Sequence, residues 1–149
     1  MAAFTCNEME LHRSAIPRAF SGVKNLFLKD KKKRYYLLSA LYETKVDLKY
    51  LAKMLDAPEL RLARPDELEA VLGVAPGSVT PLALINDHTR CVTVVLDGAL
   101  LAAECIGVHP LRNDMTTLIS PKDLVKFLES MDYEHRIAGR AGLLGALQA

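Results

Sequence analysis

Two apolar runs separated by a strongly cationic connector constrain the fold of this chain more than any other feature. Val23 to Leu28 and Tyr35 to Leu41 have the length and apolar character of strands. The connector between them, Lys29 to Arg34, is basic at every position except Asp30. Short apolar runs joined by a short polar segment are typical of a β-hairpin. We therefore predict a hairpin here with a loose, solvated tip. Strands from the rest of the chain are expected to extend this hairpin into a sheet.

Strand and helix patterns are interleaved along the remaining sequence. Strands are predicted over Leu60–Ala63, Leu82–Ile85, Val92–Leu96 (closed by an Asp97-Gly98 turn), Leu101–Val108, Met115–Ile119 and Tyr133–Ile137. Helices are predicted over Thr5–Ala15, from Asp47 onward, from Arg64 to Gly73, and from Ser120 to about Met131. Several strands are joined by hairpin-length turns. The pattern therefore predicts a single α/β (α+β-like) domain with a mixed, mostly antiparallel central sheet surrounded by helices.

Composition restricts the function classes that are open to the chain. Its 149 residues suit one domain, and no apolar run approaches the roughly 20 residues that span a bilayer. We expect no signal peptide and no membrane partner. A formal net charge of only +1 means that contact with nucleic acid would need a local basic patch. The odd number of cysteines, without metal-ligand spacing, argues against a disulfide framework and favours a reducing, cytoplasmic location.

Two segments have the residues expected of a small-molecule pocket. In Gly77-Ser78-Val79-Thr80-Pro81 the glycine permits positive φ and the proline fixes φ, so the pair brackets a loop of defined shape. The second segment, His109 to Thr117, offers an imidazole, the amide of Asn113 and hydroxyls that include Thr116. We interpret the two segments as walls of one pocket. The alternatives are a plain turn into a core strand and a histidine at a strand end.

Lys24 is the third candidate because of its position in the first predicted strand. Period-two alternation puts it on the same strand face as Leu26 and Leu28. An ammonium group on a largely apolar face is costly unless a partner or a pocket receives it. The alternative is a solvated charge at the edge of the sheet.

Four segments, taken in order, resemble a known family: Lys24–Asp30, Gly77–Leu82, Ile85–Asp87 and His109–Asn113. They are similar to segments of the YbaK/prolyl-tRNA-synthetase-associated domain superfamily, above all of its free-standing Ala-tRNA(Pro) deacylases of the ProXp-ala and PrdX-like type. The resemblance covers about Phe4 to Ile137. It implies the fold of that superfamily, with an editing domain over residues 1–137. Residues 138–149 are Gly- and Ala-rich with little to anchor them, and we expect a weakly structured tail there.

The resemblance also implies roles for the candidate residues. Gly77–Pro81 corresponds to the family's Gly-x-x-x-Pro loop, Lys24 to its active-site lysine and His109 to its pocket histidine. The expected function is trans-editing, in which the ester of mischarged tRNA(Pro), above all Ala-tRNA(Pro), is hydrolysed by a cytoplasmic monomer without metal or cofactor. Prolyl-tRNA synthetase is a further expected partner. The alternatives are a deacylase for Cys-tRNA(Pro) or another small amino acid, and a non-catalytic tRNA- or synthetase-binding module.

The candidate residues favour direct attack by water, because no serine or cysteine has a base placed beside it in the sequence. Backbone N–H groups of Gly77, Ser78 and Val79 are expected to hold the ester carbonyl as preorganised donors. Lys24 is expected to bind the terminal phosphate-sugar region or to offset charge on the carbonyl oxygen. The predicted substrate-binding residues are Asn25, Thr80, Pro81, His109, Asn113 and Thr116. The predicted tRNA-binding residues are Lys29, Lys31, Lys32, Lys33 and Arg34.

Overall fold

The computed structural model describes residues 21–109 and 116–138. The helix predicted over Thr5–Ala15 and the predicted tail beyond Ala138 lie outside these ranges. The strands are β1 (Val23–Lys29), β2 (Tyr35–Leu41), β3 (Arg61–Leu62), β4 (Val92–Asp97), β5 (Ile106–Val108), β6 (Thr117–Ile119) and β7 (His135–Ala138). The α-helices are α1 (Leu48–Leu55), α2 (Pro65–Leu72), α3 (Gly98–Leu101) and α4 (Pro121–Ser130), and 3-10 helices cover Pro76–Ser78 and Pro81–Asn86.

Strand pairing in the described part of the chain confirms a mixed, mostly antiparallel arrangement. The five-stranded sheet has the order β3-β1-β2-β4-β7, and β5 and β6 form a separate two-stranded sheet. Three of the five pairings are antiparallel, namely β1 with β2, β1 with β3, and β5 with β6. The pairings of β2 with β4 and of β4 with β7 are parallel. The predicted hairpin is therefore confirmed, and β7, which lies within the strand predicted over Tyr133–Ile137 except for its last residue, is at the edge of the sheet.

The large sheet has an apolar core on each of its faces. On the face that we call the major face, Phe27, Leu37 and Val94 pack with residues of α2, α4 and the β5–β6 sheet. On the opposite or minor face, Leu28 and Leu38 pack with residues of α1. Alternation along β1, β2 and β4 produces this division, because successive side chains of a strand point to opposite faces.

The tip of the β1–β2 hairpin is ordered, so the prediction of a loose tip is wrong. Asp30 is only 1% exposed. Its carboxylate accepts hydrogen bonds from the backbone N–H of Lys32 and Arg34, from Arg34 Nε and from the Tyr36 hydroxyl. An aspartate can close a turn in this way by accepting from the backbone that follows it. One carboxylate therefore organises the whole cationic connector.

The apolar run Leu82–Ile85 is part of a 3-10 helix and not of the predicted strand. Thr80 caps this helix, since its Oγ1 accepts from the N–H of Leu82 at 3.2 Å. Pro81 fills the first helical position, where its missing N–H costs nothing. Ala83 and Leu84 are fully buried. The prediction of burial was right and that of conformation was wrong, because periodicity does not distinguish strand from helix in so short a run.

The Asp97-Gly98 pair begins a helix and does not form the predicted hairpin turn. Asp97 is fully buried and caps α3 through a 3.1 Å bond from the N–H of Ala99. Its other oxygen accepts from the Thr44 hydroxyl at 2.7 Å. The strand predicted from Leu101 is therefore limited to β5. Cys105, just before β5, is buried and disulfide-bonded, which corrects the expectation drawn from the odd cysteine count.

Candidate functional site

The Gly77–Pro81 loop is hydrogen-bonded directly to strand β1. Asn25 Nδ2 donates to the carbonyl oxygen of Val79 at 3.2 Å. The other side of the same amide, Asn25 Oδ1, accepts from the hydroxyl of Ser39 at 2.5 Å. Ser39 is opposite Asn25 in the antiparallel register and is 1% exposed. The hairpin thus holds one amide in a single orientation, and that amide holds the loop.

The shape of the Gly77–Pro81 loop depends on these hydrogen bonds and on burial of its last two residues. Thr80 is fully buried and Pro81 is buried, whereas Gly77 is exposed. Gly77 does not have positive φ; among the described glycines that conformation belongs to Gly73, at the end of α2. The N–H of Ser78 donates to the carbonyl of Ala75 at 2.8 Å. It is therefore engaged within the turn, and of the three predicted backbone donors it is the one least able to hold a substrate oxygen.

His109 is brought to the same part of the molecule by strand β5. Ser21 forms a parallel bridge with Ile106, and its N–H and C=O bond to Cys105 and Gly107 at 2.8 and 3.2 Å. Strand β5 lies against β1. Because the bridged segments run in the same direction, His109, which directly follows β5, lies beside the first residues of β1.

Thr116 belongs to the strand partner of this segment. Its neighbour Thr117 is paired with Val108 in the antiparallel β5–β6 sheet, so Thr116 lies at the same end of that sheet as His109. Thr116 is exposed. Asn113 lies outside the described residues. Of the predicted second wall, the structure therefore brings His109 and Thr116 to one end of a sheet beside β1.

Lys24 lies on the other side of β1 from the loop. Its strand neighbours Leu26 and Leu28 pack on the minor face, as does Ala40, its register partner on β2. Asn25, one residue on, meets the loop on the major face. The predicted grouping of Lys24 with Leu26 and Leu28 is confirmed. The side chain that contacts the loop is that of Asn25, and the role of Lys24 stays a prediction.

The five basic residues of the connector divide into engaged and exposed groups. Lys29 forms an ion pair with Glu67 of α2, and its side chain is 13% exposed. Its ammonium also lies 5.9 Å from the centre of the Tyr35 ring. Arg34 is paired with Asp30 at 2.8 Å. Lys29 and Arg34 thus stabilise the fold. Lys31, Lys32 and Lys33 are exposed, and Lys31 also lies 3.8 Å from the carboxylate of Glu59.

Two carboxylates that hold residues of the cationic connector have shifted pKa values. The backbone N–H of Arg64 and the ammonium of Lys29 together lower the pKa of Glu67 below its usual range. Burial raises the pKa of Asp30, but hydrogen bonds from Arg34 and Tyr36 outweigh this effect and the net pKa is lowered. Both groups are therefore anionic at neutral pH and hold cations or N–H donors. Neither is suited to general-base work.

No group of three His, Cys, Asp or Glu side chains within residues 21–109 and 116–138 is arranged to hold a metal ion. In the same part of the chain, no helix is long and apolar enough to cross a membrane. The chemistry that the described site offers consists of backbone N–H groups, amides, hydroxyls, an imidazole and lysines.

Comparison with known proteins identifies the family to which the chain is similar. A model of the aminoacyl-tRNA editing domain matches residues 3–127. The chain is 44% identical over 134 residues to the prolyl-tRNA synthetase associated domain-containing protein 1 of Danio rerio, covering 87% of this chain and 71% of that protein. It is 38% identical over 128 residues to the prolyl-tRNA editing protein ProX of Acetoanaerobium sticklandii, covering 85% of this chain and 77% of that one.

A solved structure shows the same fold. It is a protein described as a candidate trans-editing enzyme for prolyl-tRNA synthetase, with a TM-score of 0.66 and 23% identity over 92% of this chain and 82% of that one. An editing domain cleaves the ester between an amino acid and its tRNA, so the fold and the site define an aminoacyl-tRNA hydrolase. The chain belongs to the aminoacyl-tRNA editing family. The resemblance found in the sequence is thereby confirmed.

Proposed function

We propose that the chain is a trans-editing deacylase that hydrolyses tRNA(Pro) mischarged with a small amino acid, above all Ala-tRNA(Pro). The observation that carries the proposal is the bond from Asn25 to Val79, which fixes the Gly77–Pro81 loop on β1, and strand β5, which is followed by His109, lies against β1. The printed names of the relatives, which refer to prolyl-tRNA editing and to prolyl-tRNA synthetase, support tRNA(Pro) as the substrate.

The proposed reaction would correct the limited selectivity of a synthetase between proline and a smaller amino acid. A synthetase pocket built for proline cannot strongly reject a smaller amino acid, because one missing methylene group is worth only about 1–3 kcal/mol. A second pocket that admits the small side chain and excludes proline supplies the missing discrimination. We propose His109 as the part of the pocket wall that sets this size limit, with Thr80, Pro81, Asn113 and Thr116 as further substrate-binding residues.

Direct attack by water is the proposed chemical step. The ester carbonyl oxygen is held by the N–H groups of Gly77 and Val79, since the N–H of Ser78 is engaged with Ala75. Water adds to the carbonyl carbon, the bond to the ribose oxygen breaks, and that oxygen leaves with a proton as the tRNA hydroxyl. Lys24 binds the terminal phosphate-sugar region from the minor-face side.

The proposed organisation of the protein follows from the same function. We propose an editing domain over residues 1–137, followed by a tail. Strand β7 belongs to the main sheet and ends at Ala138, one residue after that boundary. Lys31, Lys32 and Lys33 contact the tRNA. The protein acts as a monomer in the cytoplasm, where aminoacyl-tRNA is made, and prolyl-tRNA synthetase is a further partner.

Deacylation of a panel of aminoacyl-tRNAs tests the proposal. Ala-tRNA(Pro) should be hydrolysed well above the spontaneous rate, and Pro-tRNA(Pro) should stay intact. Faster hydrolysis of Cys-tRNA(Pro) or of another small amino acid would keep the enzyme and change its substrate. Binding of tRNA without hydrolysis of any ester would show a non-catalytic module.

Two variants sharpen the same assay. Lys24→Ala should lose most of its activity while its circular dichroism and melting stay close to wild type. An unchanged rate would remove Lys24 from the mechanism.

His109→Ala should begin to hydrolyse Pro-tRNA(Pro), with a gain of roughly 10–200-fold, because room for a few apolar contacts is worth that much. Loss of Ala-tRNA(Pro) hydrolysis without any gain on Pro-tRNA(Pro) would contradict a wall and support a general base.

A further inference from the structure

Helix α1 and the tip of the β1–β2 hairpin form an open groove at the end of the sheet away from Lys24. The groove has a volume of about 380 Å³. Lys32 of the hairpin tip lines one side, and Lys49 and Lys53 of α1 line the other. Small residues lie between them, and Asp56 is the one carboxylate in the lining. Three lysines from two separate elements thus converge on one concave surface.

The positive charge of this groove is not neutralised within the described residues. Elsewhere on the hairpin tip, Lys31 pairs with Glu59 at 3.8 Å and Arg34 with Asp30 at 2.8 Å. Across residues 21–109 and 116–138, the ammonium groups of Lys32, Lys49 and Lys53 form no ion pair with a carboxylate. The groove therefore presents an excess of two positive charges after Asp56 is counted.

Lys49 is unfavourably placed in helix α1, whereas Lys53 is in the last turn, where the helix dipole favours a cation. Lys49 is in the first turn, where the positive end of the helix dipole disfavours a cation. Lys49 and Lys53 are four residues apart on one helical face, a spacing at which like charges repel. Departures from local preference of this kind are expected where function requires them. A bound polyanion would relieve both unfavourable terms.

The groove is also held in shape before any ligand arrives. The N–H of Lys31 donates to the carbonyl of Pro58 at 2.8 Å, and Arg34 Nη2 donates to the carbonyl of Asp56 at 3.1 Å. Asp56 is the C-cap of α1, with φ of 56°. Two bonds thus join the hairpin tip to the end of the helix, so that the two sides of the groove keep their spacing.

We propose that this groove binds the phosphodiester backbone of the paired acceptor stem of a tRNA whose 3′ end lies in the candidate site. The inference rests on the proposed function. The site is near Lys24 and Asn25 and the groove lies beyond the end of β1 at Lys29, and the five residue steps from Lys24 to Lys29 span about 17 Å at roughly 3.3 Å each. A ligand that reaches both places is much longer than an aminoacylated nucleotide. Phosphate contacts by lysine fix the position of a double helix without reading its sequence.

A double variant on α1 tests the groove directly. Lys49→Ala with Lys53→Ala should weaken binding of uncharged tRNA(Pro) by about tenfold at low salt. It should also make the slope of log K against log salt shallower by about 2, roughly 1 for each phosphate that is no longer neutralised by a lysine. The matched control is Lys122→Ala with Lys126→Ala, which removes two exposed lysines at the same spacing on α4. The control should bind as wild type does.

Kinetics on two substrates separate the groove from the chemistry. With full-length mischarged tRNA the α1 double variant should show a higher KM and an unchanged kcat. With an aminoacylated oligonucleotide that carries only the unpaired 3′ end, variant and wild type should behave alike. Equal loss with both substrates would overturn the groove as the stem contact. Alanine favours helix, and melting curves should confirm that α1 stays folded.

The outcomes distinguish failure of the groove from failure of the proposed function. If wild type hydrolyses mischarged tRNA and the two double variants bind tRNA equally, the groove is overturned and the function stands. If no ester is hydrolysed but the α1 variant alone loses binding of uncharged tRNA, the groove stands and the function fails. If the α1 variant keeps tRNA binding and instead loses adsorption to phosphatidylserine vesicles, the proposed occupant is wrong.

Discussion

At the scale of single residues, two neighbouring candidate residues on β1 face opposite sides of the sheet. Lys24 and Asn25 point to opposite faces of the sheet because successive strand residues do so. Asn25 uses its amide N–H for the loop and its amide oxygen for Ser39. A side chain with both a donor and an acceptor is needed here, and asparagine provides them in a short, stiff form. Asn25 is thus best described as a positioning residue.

Asn25→Asp tests this role more sharply than alanine does. The carboxylate can still accept from Ser39 but cannot donate to Val79, and it sets a negative charge against a carbonyl oxygen. Both Asn25→Asp and Asn25→Ala should lower kcat by about 10²-fold, because a displacement of about 1 Å can cost that much. KM should change less than kcat.

Ser39→Ala is the matched control for the same pair. It keeps the Asn25 donor and should retain most of the activity, although the lost buried bond should cost about 1–3 kcal/mol of unfolding free energy. Steady-state kinetics and urea unfolding of the three variants provide both measurements. Wild-type kcat in Asn25→Asp would show that the bond to Val79 does not position the loop for catalysis.

At the scale of elements, the sequence predicted best the helices whose ends carry strong signals. Asp47 accepts from the first turn of α1, and Gly73 ends α2 with φ of 68°. Ser120 accepts from the N–H of Asp123 at the start of α4. Each of these signals acts within one turn of the chain. The hairpin was predictable for the same reason, since its two strands adjoin in sequence.

Elements that depend on distant contacts were not predictable from local patterns. The 3-10 helix over Pro81–Asn86 and the strand beginning only at Ile106 depend on how apolar residues are buried against the sheet. The bond from Asn25 to Val79 joins residues 54 positions apart, and no spacing in the sequence indicates it. The motif residues were identifiable, whereas the contact that fixes the loop required the structure.

Thr80 provides a test of what forms the 3-10 helix after the loop. Thr80→Val keeps the side-chain volume and removes the hydroxyl that caps the helix, so it should lower the unfolding free energy by about 0.5–2 kcal/mol. Thr80→Ser keeps the cap and removes one methyl group, which should cost about 1 kcal/mol. Urea unfolding distinguishes the two effects. If Thr80→Val were as stable as wild type, burial of Pro81, Ala83 and Leu84 would form the helix without the cap.

At the scale of the whole molecule, the buried carboxylate of Asp87 connects parts of the chain that are far apart in sequence. Asp87 is 2% exposed and accepts from the N–H groups of Cys91 and Val92 and from the Tyr133 hydroxyl at 2.6 Å. It therefore joins the end of the 3-10 helix to β4 and to the segment before β7. Asp30 organises the hairpin tip in the same manner. Burial raises the pKa of Asp87, but the bonds from Tyr133, Cys91 and Val92 outweigh it and the net pKa is lowered.

These two shifts predict how stability depends on pH. Asp30 and Asp87 each have a lower pKa in the folded than in the unfolded protein, where it is 3.8. Such a carboxyl stabilises the fold at a pH above the unfolded-state pKa, and this stabilisation is lost as the pH falls through the folded-state pKa. The unfolding free energy should therefore be nearly constant from about pH 7 to 5 and fall below about pH 4. Asp30→Asn and Asp87→Asn should each cost about 1–3 kcal/mol at pH 7, because donors lose a charged acceptor.

The difference in unfolding free energy between wild type and each variant should then shrink as the pH falls below 4, since the wild-type carboxyl also becomes neutral there. The two losses should add, because Asp30 and Asp87 share no partner. Asp66→Asn removes an exposed carboxylate that forms an ion pair with Arg64 and is the control, which should stay close to wild type throughout. Urea unfolding at pH 7, 5, 4 and 3 measures wild type, the three single variants and the double variant Asp30→Asn with Asp87→Asn. A constant difference across that range would mean that Asp30 and Asp87 act through shape and hydrogen bonding alone, without their charge.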